Sequence, residues 1–502
     1  MLADLLSETT VLELSGDPAV EIRGIATDHR QVKPSDLFVA LPGQHHDGRD
    51  FIPQAVSAGA AAVVCEPPGP AGIAVPLIVV PNAHCTLAEL ATAYYQHPSD
   101  HLGLIGVTGT DGKTTTTHLI AAILRAAGTS TGLISTVALD LGKGSEPNPT
   151  PHTTPEATVI QANLARMRDA GVQTAALEVS SHALVLGRVI GCNFDCAVFT
   201  NLDSEHLDFH GTLTKYRAAK AALFAQLDHG KAKPWGRLAV VNVDDPSAEA
   251  MRSACSVPWI GYGTEANATI RGTIVRVTLS STTFRVDAPE GSAVLETRVP
   301  GRHNVLNWLG AIAATRHFGA PLNAAQRAAA EFGGVPGRLE AVVCGQPFNV
   351  FVDFAHTPQG LSATVALLRT QTRGRLIVLF GQAGHRDHGN RERMAAAVAE
   401  AADLVIITSD DPYDEEPQSI VDELARSFRR RGWRENREFW RIVDRREAIE
   451  FAIGFARRGD SVLLAGRGPE TVTTIAGRAI PLVDADVARE ALQRERRHAR
   501  SA

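Results

Sequence analysis

The sequence predicts an α/β protein built from three domains. Short apolar runs typical of buried strands alternate with helical patterns along most of the chain. At 502 residues the chain is too long for one hydrophobic core. A new strand pattern near residue 98 and a Gly- and Pro-rich segment at 334–338 divide it. We therefore expect domains at 1–97, 98–333 and 334–502.

The composition is that of an ordinary globular protein, with 44% hydrophobic residues, 21% charged residues and a net charge of −6. Because basic residues are not in excess, a nucleic-acid partner is not expected. The chain shows neither a signal-peptide pattern nor an apolar segment long enough to span a membrane. The six cysteines lack pairing context and metal spacing, which favours reduced thiols. We expect a cytoplasmic protein, and a monomer.

The first segment reads as a small α/β unit with a helix over 51–58. Its predicted strands are 24–27, 36–41, 61–65 and 77–80. Polar clusters follow two of these strands, at 28–30 and 44–49, and loops in this position commonly carry ligand contacts. Solvated turns are an equally good interpretation of their spacing.

The stretch 104–117 predicts a phosphate-binding loop. An apolar run ends in a turn with Gly109 and Gly112, and Lys113-Thr114 then opens a helical pattern. Glycines let backbone N–H groups converge on an anion, and the helix N-terminus adds its positive dipole end. Lys113 would reach the β and γ phosphates, while Thr114 or Thr115 would hold Mg²⁺. A βα turn without a ligand is the alternative, and the motif favours ATP or a related nucleotide.

Further strands of the central segment carry candidate metal ligands. Glu178 lies near the end of an apolar strand, where a carboxylate beside a phosphate loop is well placed to hold Mg²⁺. A structural ion pair is the alternative for Glu178. His206, in the polar loop after another strand, is either a metal ligand or a capping histidine. Residues 141–155 are predicted as a loop, and alternating runs between 260 and 300 predict a small antiparallel β insert.

The third segment predicts a Rossmann-like, doubly wound sheet. Its predicted strands are 349–353, 376–380, 404–407 and 461–465, and helical stretches alternate with them. Each strand ends in a polar or Gly-bearing loop, where ligands bind in such sheets. The charged helical tail after about residue 486 is expected to be solvated.

Five motifs together resemble the Mur ligase family, over all three domains. They are Thr-Gly-Thr-Asp-Gly-Lys-Thr-Thr at 108–115, Glu-Val-Ser-Ser-His-Ala-Leu at 178–184, Thr-Asn-Leu through His-Leu-Asp-Phe-His-Gly at 200–211, Asp-Phe-Ala-His-Thr-Pro at 353–358 and Ala-Gly-Arg-Gly-Pro-Glu at 465–470. Within the family, the chain is most similar to ligases that add the third residue of the peptidoglycan stem peptide.

The resemblance implies an ATP-dependent, ADP-forming amide ligase that works through an acyl phosphate. Its implied substrates are ATP, a UDP-N-acetylmuramoyl-L-Ala-D-Glu acceptor of the new residue, and a free amino acid. The matching catalytic residues are Lys113, Glu178, His206 and Lys220. The matching metal shell for Mg²⁺ is Thr114, Glu178, His206 and Lys220, with Lys220 carbamylated. From the residues alone, Lys220 would be a surface lysine.

The resemblance also assigns binding residues. Those matching the ATP site are Gly109, Thr110, Asp111, Gly112, Lys113, Thr114, Thr115, Asn304, Arg338, Asp353 and His356. Those matching the uridine and dipeptide contacts are His29, Arg30, Gln44, His45, His46, Thr153, Thr154, Ser180 and Arg188. Those matching the amino-acid pocket are Arg386, Asp410, Asp411, Tyr413, Gly466 and Glu470. His29 stands where the family has serine, and Asp111 where it usually has asparagine.

The identity of the added amino acid depends on residues 410–413. Ligases adding diaminopimelate read Asp-Asn-Pro-Arg there, and their arginine binds the distal carboxylate. This chain reads Asp-Asp-Pro-Tyr and continues with three acidic residues. A tyrosine lacks the cationic fork that a carboxylate favours, and an acidic surround attracts an ammonium group. We therefore expect lysine or ornithine, with diaminopimelate as the alternative.

Two other functions remain open at this point. A folate- or cyanophycin-type ligase of the same superfamily would use another acyl substrate, but the uridine loops and residues 178–184 argue against it. A nucleotide-binding module without catalysis would keep the phosphate loop alone. The joint presence of Lys113, Glu178, His206 and Lys220 argues against that interpretation.

Overall fold

The structure is a computed structural model that describes residues 1–43, 46–150, 152–384 and 388–501, without the side chains of the last four. It confirms the predicted three-domain α/β fold, with one main sheet in each domain. Because the main strands are buried on both faces, they read in the sequence as continuous apolar runs rather than as alternating ones. The predicted domain boundaries remain predictions.

The first sheet has the order β1-β5-β4-β3-β2, with β1 antiparallel and the other pairs parallel. Its strands are β1 (Glu13–Ser15), β2 (Gly24–Ala26), β3 (Asp36–Val39), β4 (Ala62–Cys65) and β5 (Leu77–Val79). Its helices are α1 (Leu2–Leu5), α2 (Ile52–Ser57) and α3 (Ala83–Tyr94), with 3₁₀ turns at Leu6–Glu8, His29–Gln31 and Gly48–Phe51. Both loops with polar clusters follow carboxyl ends of parallel strands.

The central sheet has eleven strands in the order β16-β15-β14-β13-β12-β11-β6-β10-β7-β8-β9. The strands are β6 (Gly103–Thr108), β7 (Thr131–Ile134), β8 (Ala138–Asp140), β9 (Ser145–Pro147), β10 (Thr174–Glu178), β11 (Cys196–Phe199), β12 (Leu238–Asn242), β13 (Trp259–Gly263), β14 (Ile270–Val277), β15 (Thr282–Ala288) and β16 (Gly291–Thr297). The run from β14 to β7 is parallel, and separate apolar clusters cover its two faces.

The central helices connect these strands and cover the sheet. They are α4 (Lys113–Ala126), α5 (Ala157–Asp169), α6 (Ser181–Val185), α7 (Leu207–His210), α8 (Leu213–Ala225), α9 (Ala248–Arg252), α10 (Arg302–His317) and α11 (Leu322–Glu331), with 3₁₀ turns at Pro98–His101 and Gln226–Asp228. The phosphate loop lies between β6, at the centre of the sheet, and α4.

The antiparallel strands β14, β15 and β16 match the alternating runs expected between 260 and 300, and the pairing of β14 with β13 makes them an extension of the main sheet. One expectation for the central domain needs correction. The segment predicted as a loop at 141–155 contains part of a meander, because β8 and β9 continue the other edge of the sheet. Both additions are short or half-exposed, so their apolar signal is weak.

The third sheet has the order β17-β18-β22-β19-β20-β21 and is parallel apart from β17. Its strands are β17 (Glu340–Ala341), β18 (Asn349–Asp353), β19 (Leu376–Phe380), β20 (Leu404–Ile407), β21 (Phe439–Arg441) and β22 (Ser461–Ala465). Two further strands, β23 (Val472–Ile475) and β24 (Arg478–Pro481), form a separate hairpin. The helices are α12 (Pro358–Gln371), α13 (His388–Ala399), α14 (Pro417–Arg430), α15 (Arg445–Phe455) and α16 (Asp484–Ser501).

The C-terminal helix α16 is not simply solvated, as its charge had suggested. Val487, Ala488 and Leu492 are buried in the cluster on one face of the third sheet. At its start, Asp484 forms a fully buried ion pair with Arg445, at 2.6 Å. Residues 493–497, which are mostly charged, are exposed, so only the first half of the helix belongs to the domain core.

All six cysteines are free. Cys65, Cys192 and Cys196 are buried, and the other three, Cys85, Cys255 and Cys344, are partly exposed. Within the described part of the chain, no helix has the length and apolar character needed to cross a membrane.

Candidate active site

The phosphate loop has a backbone that requires its two glycines. Gly109 and Gly112 have φ of +153° and +81°. A Cβ on Gly109 would lie 1.8 Å from the Thr200 hydroxyl, and one on Gly112 would lie 2.3 Å from Oδ1 of Asn307. Larger residues are therefore excluded by neighbouring side chains as well as by backbone strain.

Asp111 sits between these glycines with its backbone fixed. Its N–H donates to Oδ1 of Asn201 at 2.9 Å, and its carbonyl accepts from the Thr200 hydroxyl at 2.6 Å. Burial and the nearby Glu205 raise the pKa of its carboxyl, while Lys113 opposes the shift. The shift favours the neutral acid, the form that conflicts less with bound phosphates.

Three of the predicted catalytic and metal residues, Lys113, Thr114 and Glu178, meet at the start of α4. Lys113 Nζ donates to the carbonyls of Gly109 and Thr110, at 3.1 and 2.6 Å, and so lies across the loop. The Thr114 hydroxyl donates to Oε1 of Glu178 at 3.0 Å. The other carboxylate oxygen of Glu178 accepts from the backbone and the hydroxyl of Thr136, at 2.9 and 3.0 Å. Oxygen donors of this kind suit Mg²⁺.

Lys220 is buried, contrary to its expectation as a surface residue, with only 1% of its surface exposed. Its Nζ donates to the carbonyl of Gly109 at 2.6 Å and lies 4.3 Å from the centre of the Tyr216 ring. Burial drives the pKa of its amine well below the ordinary value, and Lys113 adds to this shift. A neutral amine is the form that can react with CO₂ to give a carbamate.

Two contacts join the central and third domains at this point. Arg338 Nη2 donates to the Thr114 hydroxyl at 3.0 Å, and its guanidinium stacks 4.4 Å from the ring centre of Phe354. His356 Nε2 lies 3.1 Å from Oε1 of Glu205, which is also 3.4 Å from Nε2 of His206. Four of the predicted site residues and Glu205 thus converge across the domain boundary.

A cavity of about 450 Å³ opens between the two domains beside the phosphate loop. Its lining includes six residues predicted for the ATP site, namely Asp111, Gly112, Thr115, Asn304, Arg338 and Asp353. Asp353 is held by the N–H groups of Leu339 and Ala355, at 2.6 and 3.0 Å. The cavity has room for a nucleoside whose phosphates lie on the loop.

A second, smaller cavity of about 90 Å³ lies on the other side of the Glu205–His356 pair. It is lined by five residues predicted for the amino-acid pocket, namely Asp410, Asp411, Tyr413, Gly466 and Glu470. Glu205, His206 and His356 line it as well. None of the described lining residues is a lysine or an arginine.

The acidic groups of this cavity share one buried cation. Arg467 is fully buried, and its Nη1 lies 3.0 Å from Asp411, 3.4 Å from Glu470 and 3.5 Å from Asp410. Burial and the neighbouring Asp410 raise the pKa of Glu470 to about 8, and Arg467 only partly offsets them. Three carboxyl groups around one guanidinium make the pocket acidic, and it becomes better suited to an ammonium group as Glu470 ionises.

The residues predicted for the UDP-dipeptide occupy separate places. In the first domain His29 stacks on Phe51, with ring centres 4.5 Å apart and planes 5° from parallel, and Arg30 pairs with Asp28 at 2.7 Å. His46 packs edge-on against the same phenylalanine. Gln44, His45 and Arg386 lie outside the described residues. None of the described residues of the first sheet lines either cavity.

The central-domain residues predicted for the UDP-dipeptide form a compact cluster beside the Glu178 backbone. The buried Thr154 hydroxyl donates to the Glu178 carbonyl at 2.8 Å and accepts from Ser180 N–H at 2.9 Å. Arg188 donates to the Thr154 carbonyl at 2.9 Å and pairs with Glu156 at 2.5 Å. Thr153 is half-exposed beside them. Thr154 therefore holds the strand end in place rather than presenting its hydroxyl outward.

Sequence reasoning missed three residues of the site. Glu205 joins the two domains, Thr136 holds Glu178, and Arg467 balances the acidic pocket. Glu205 and Arg467 each adjoin a predicted site residue, so position in the motif could have identified them. Thr136 lies 42 positions from its partner, and periodicity carries no signal for such a contact.

Models of three protein domains match successive parts of the chain: "Mur ligase family, catalytic domain" at 21–95, "Mur ligase middle domain" at 107–315, and "Mur ligase, glutamate ligase domain" at 337–468. The chain is 41% identical to the UDP-N-acetylmuramoyl-L-alanyl-D-glutamate–2,6-diaminopimelate ligase of Geobacillus kaustophilus, covering 95% of this chain and 96% of the relative. The chain belongs to the Mur ligase family.

Two further comparisons agree with this membership. This Mur ligase is 42% identical to the UDP-N-acetylmuramyl-tripeptide synthetase of a Roseiflexus species, covering 94% of both chains. A solved 2,6-diaminopimelate ligase structure superposes with a TM-score of 0.64 at 31% identity, covering 95% of both chains. The family resemblance and the enzyme class predicted from the sequence, an ATP-dependent amide ligase, are confirmed.

Proposed function

We propose that this Mur ligase joins a diamino acid to UDP-N-acetylmuramoyl-L-Ala-D-Glu at the expense of ATP, in the cytoplasm and as a monomer. The observation that carries the proposal is the Thr114 hydroxyl, which contacts Glu178 of its own domain and Arg338 of the third domain. This contact joins the phosphate loop of the central domain to the third domain, which carries the predicted amino-acid pocket.

The chemistry requires activation of a poor electrophile. A carboxylate oxygen of D-glutamate attacks the γ-phosphorus of ATP, and ADP leaves with the electrons of the broken P–O bond. The amine nitrogen of the incoming amino acid then attacks the acyl carbon, phosphate leaves, and the nitrogen loses a proton. Lys113 and Arg338 are placed to bind phosphoryl oxygens, which neutralises charge during transfer.

The oxygen donors of Thr114 and Glu178 fit Mg²⁺, which would neutralise phosphate charge when bound. His206 and Lys220 fit a second site only if Lys220 is carbamylated, because an amine is a poor ligand for a hard cation. The chain itself supplies what a carbamate needs: a buried amine and the hydrogen-bonding carbonyl of Gly109 beside it.

The names of the relatives support 2,6-diaminopimelate as the added amino acid. A pocket observation favours lysine or ornithine as the second candidate. Tyr413 stands at the pocket rim with 41% of its surface exposed, and the described lining offers carboxylates but no lysine or arginine for a distal carboxylate. The relatives' names are the broader support, and Tyr413 is the local observation that favours the second candidate.

A phosphate-release assay with the UDP-muramoyl dipeptide tests both the ligase reaction and the identity of the added amino acid. Diaminopimelate, lysine and ornithine are supplied separately to the wild type and to Tyr413→Arg. We expect release that depends on an amino acid, and an increase in the diaminopimelate preference when arginine replaces the tyrosine. Absence of amino-acid-dependent release would refute the ligase proposal. A strong diaminopimelate preference in the wild type would exclude the second candidate.

A further inference from the structure

The β23–β24 hairpin pairs with no other strand among the described residues. An isolated two-stranded hairpin is marginally stable in water, so contacts with the rest of the domain must hold it. Its outward residues Val472 and Ile480 are largely exposed. The contacts that fix it lie on its inner side, against the amino-acid pocket.

Four hydrogen bonds join the hairpin to residues 410–413. The Thr473 hydroxyl donates to the Asp410 carbonyl at 3.1 Å, and Thr474 N–H donates to Oδ1 of Asp411 at 2.8 Å. Tyr413 N–H donates to the Thr474 carbonyl at 3.2 Å, and Ala476 N–H donates to the Tyr413 carbonyl at 2.8 Å. Asp410, Asp411 and Tyr413 are thus all bonded to one hairpin.

Tyr413 needs this support because its backbone is strained. Its φ is +54°, a left-handed conformation that is unfavourable for a bulky side chain. Such a conformation persists only where the surroundings overdetermine it. Here both the N–H and the carbonyl of Tyr413 are bonded to the hairpin, which fixes the backbone at the pocket rim.

Arg467 adds a second link between the same two segments. Its Nη1 donates to Oδ1 of Asp411 at 3.0 Å, and its Nη2 donates to the Val472 carbonyl at 2.7 Å. The guanidinium is fully buried, so a shift of the hairpin would also displace the charge that balances Asp411.

We propose that the β23–β24 hairpin shapes the pocket for the incoming amino acid, with Thr473 as a positioning residue that acts through Asp410. This inference rests on the proposed function, since it assigns the pocket to the incoming amino acid. The hairpin determines selectivity because it sets the spacing of two carboxylates and the rim tyrosine. The cavity beside the phosphate loop is untouched, since no residue of 410–413 or 472–481 lines it.

The test compares Thr473→Val, which removes the hydroxyl donor at nearly constant shape, with Thr473→Ser, which keeps it. Thr372→Val is the matched control, because Thr372 is a similarly buried threonine of the third domain whose hydroxyl bonds Leu368 and Ser461. KM for the amino acid, ATP and the UDP-dipeptide is measured for each variant, together with the ratio of kcat/KM between preferred and disfavoured amino acids. Melting curves report folding.

We expect Thr473→Val to raise the amino-acid KM about fivefold and to lower the selectivity ratio, with the other two KM values unchanged. Thr473→Ser keeps the hydroxyl and should therefore show the wild-type amino-acid KM and selectivity ratio. Unchanged amino-acid KM and selectivity in Thr473→Val would overturn the proposal, as would equal changes in all three KM values or in the Thr372 control. A wild type without amino-acid-dependent phosphate release would instead refute the proposed function, and this inference with it.

Discussion

Glu205 of the central domain and His356 of the third domain are paired, with 3.1 Å between Oε1 and Nε2. Burial opposes charge on His356, but the hydrogen bond and charge of Glu205 outweigh it, and the pKa of the imidazole is raised. The contribution of the pair to the stability of the folded protein is therefore fully present below the ordinary histidine pKa of about 6.5. It is lost as pH rises through the higher pKa that His356 has in the folded protein.

We predict that the two domains separate more readily at alkaline pH. The radius of gyration from solution scattering should increase between about pH 6 and about pH 9 in the wild type. Glu205→Gln should be expanded at both values, because the charge that holds His356 is gone. Glu249→Gln, which alters an exposed ion pair of the same domain, should behave as the wild type. A pH-independent wild type would contradict the prediction.

Lys220→Arg should abolish activity, because a guanidinium remains charged and cannot form a carbamate. Lys215→Arg on the same helix is the control, and since Lys215 is exposed it should retain wild-type activity. Wild-type kcat should also fall in CO₂-depleted buffer and recover on addition of bicarbonate. Full activity of the Lys220→Arg enzyme would show that carbamylation of Lys220 is not required for activity.

Asp111→Asn should leave ATP binding unchanged or tighten it. Asparagine keeps the shape of the side chain without a charge beside the phosphates, and the backbone bonds that hold the loop do not involve the substituted atoms. Because burial raises the pKa of Asp111, the advantage of asparagine should grow as pH rises and the wild-type carboxyl ionises.

Calorimetric titration of ATP at several pH values measures this difference, with Lys113→Ala as the variant that should lose affinity. A large loss of ATP affinity in Asp111→Asn would reveal a role for the carboxylate beyond its electrostatic cost.

Amino-acid binding should depend on the ionisation of Glu470, whose pKa of about 8 reflects burial first and the neighbouring Asp410 second. The ionised form attracts an ammonium, so the amino-acid KM should fall as pH rises through this value. The raised pKa also affects the stability of the folded protein. The contribution of Glu470 to stability is fully present below its ordinary pKa and is lost as pH rises through the folded value of about 8.

Asp411→Asn removes one of the charges that raise the Glu470 pKa. The amino-acid KM of this variant should therefore fall at a lower pH than that of the wild type. Comparing the two proteins with one amino acid cancels the titration of that amino acid itself. Identical pH profiles would show that Asp411 does not act on Glu470.

Buried parallel strands were the part of the fold that the sequence predicted well. The strands at 349–353, 376–380, 404–407 and 461–465 match the observed β18, β19, β20 and β22, because burial on both faces leaves an unbroken apolar run. The strands β8 and β9 at one end of the central sheet escaped prediction, since strands of only three residues show too little periodicity to stand out from a loop.

Site residues were recognised through motifs, and their surroundings were not. Lys220 lies on a helix with little amphipathic pattern, so its burial becomes visible only when the Gly109 loop packs against it. The partnership of Thr136 with Glu178 likewise depends on two strands being brought side by side. Such contacts arise from tertiary packing, which local spacing does not encode.

The distribution of thiols offers a practical way to follow the domains. Cys85, Cys255 and Cys344 are partly exposed and fall in the first, central and third α/β units in turn, whereas the remaining three cysteines are buried. Removing any one of the accessible three leaves a natural pair for maleimide dyes or spin labels. Pairs that include Cys255 then report the distance across one domain boundary and the Cys85–Cys344 pair reports it across both, with no new labelling site added to the chain.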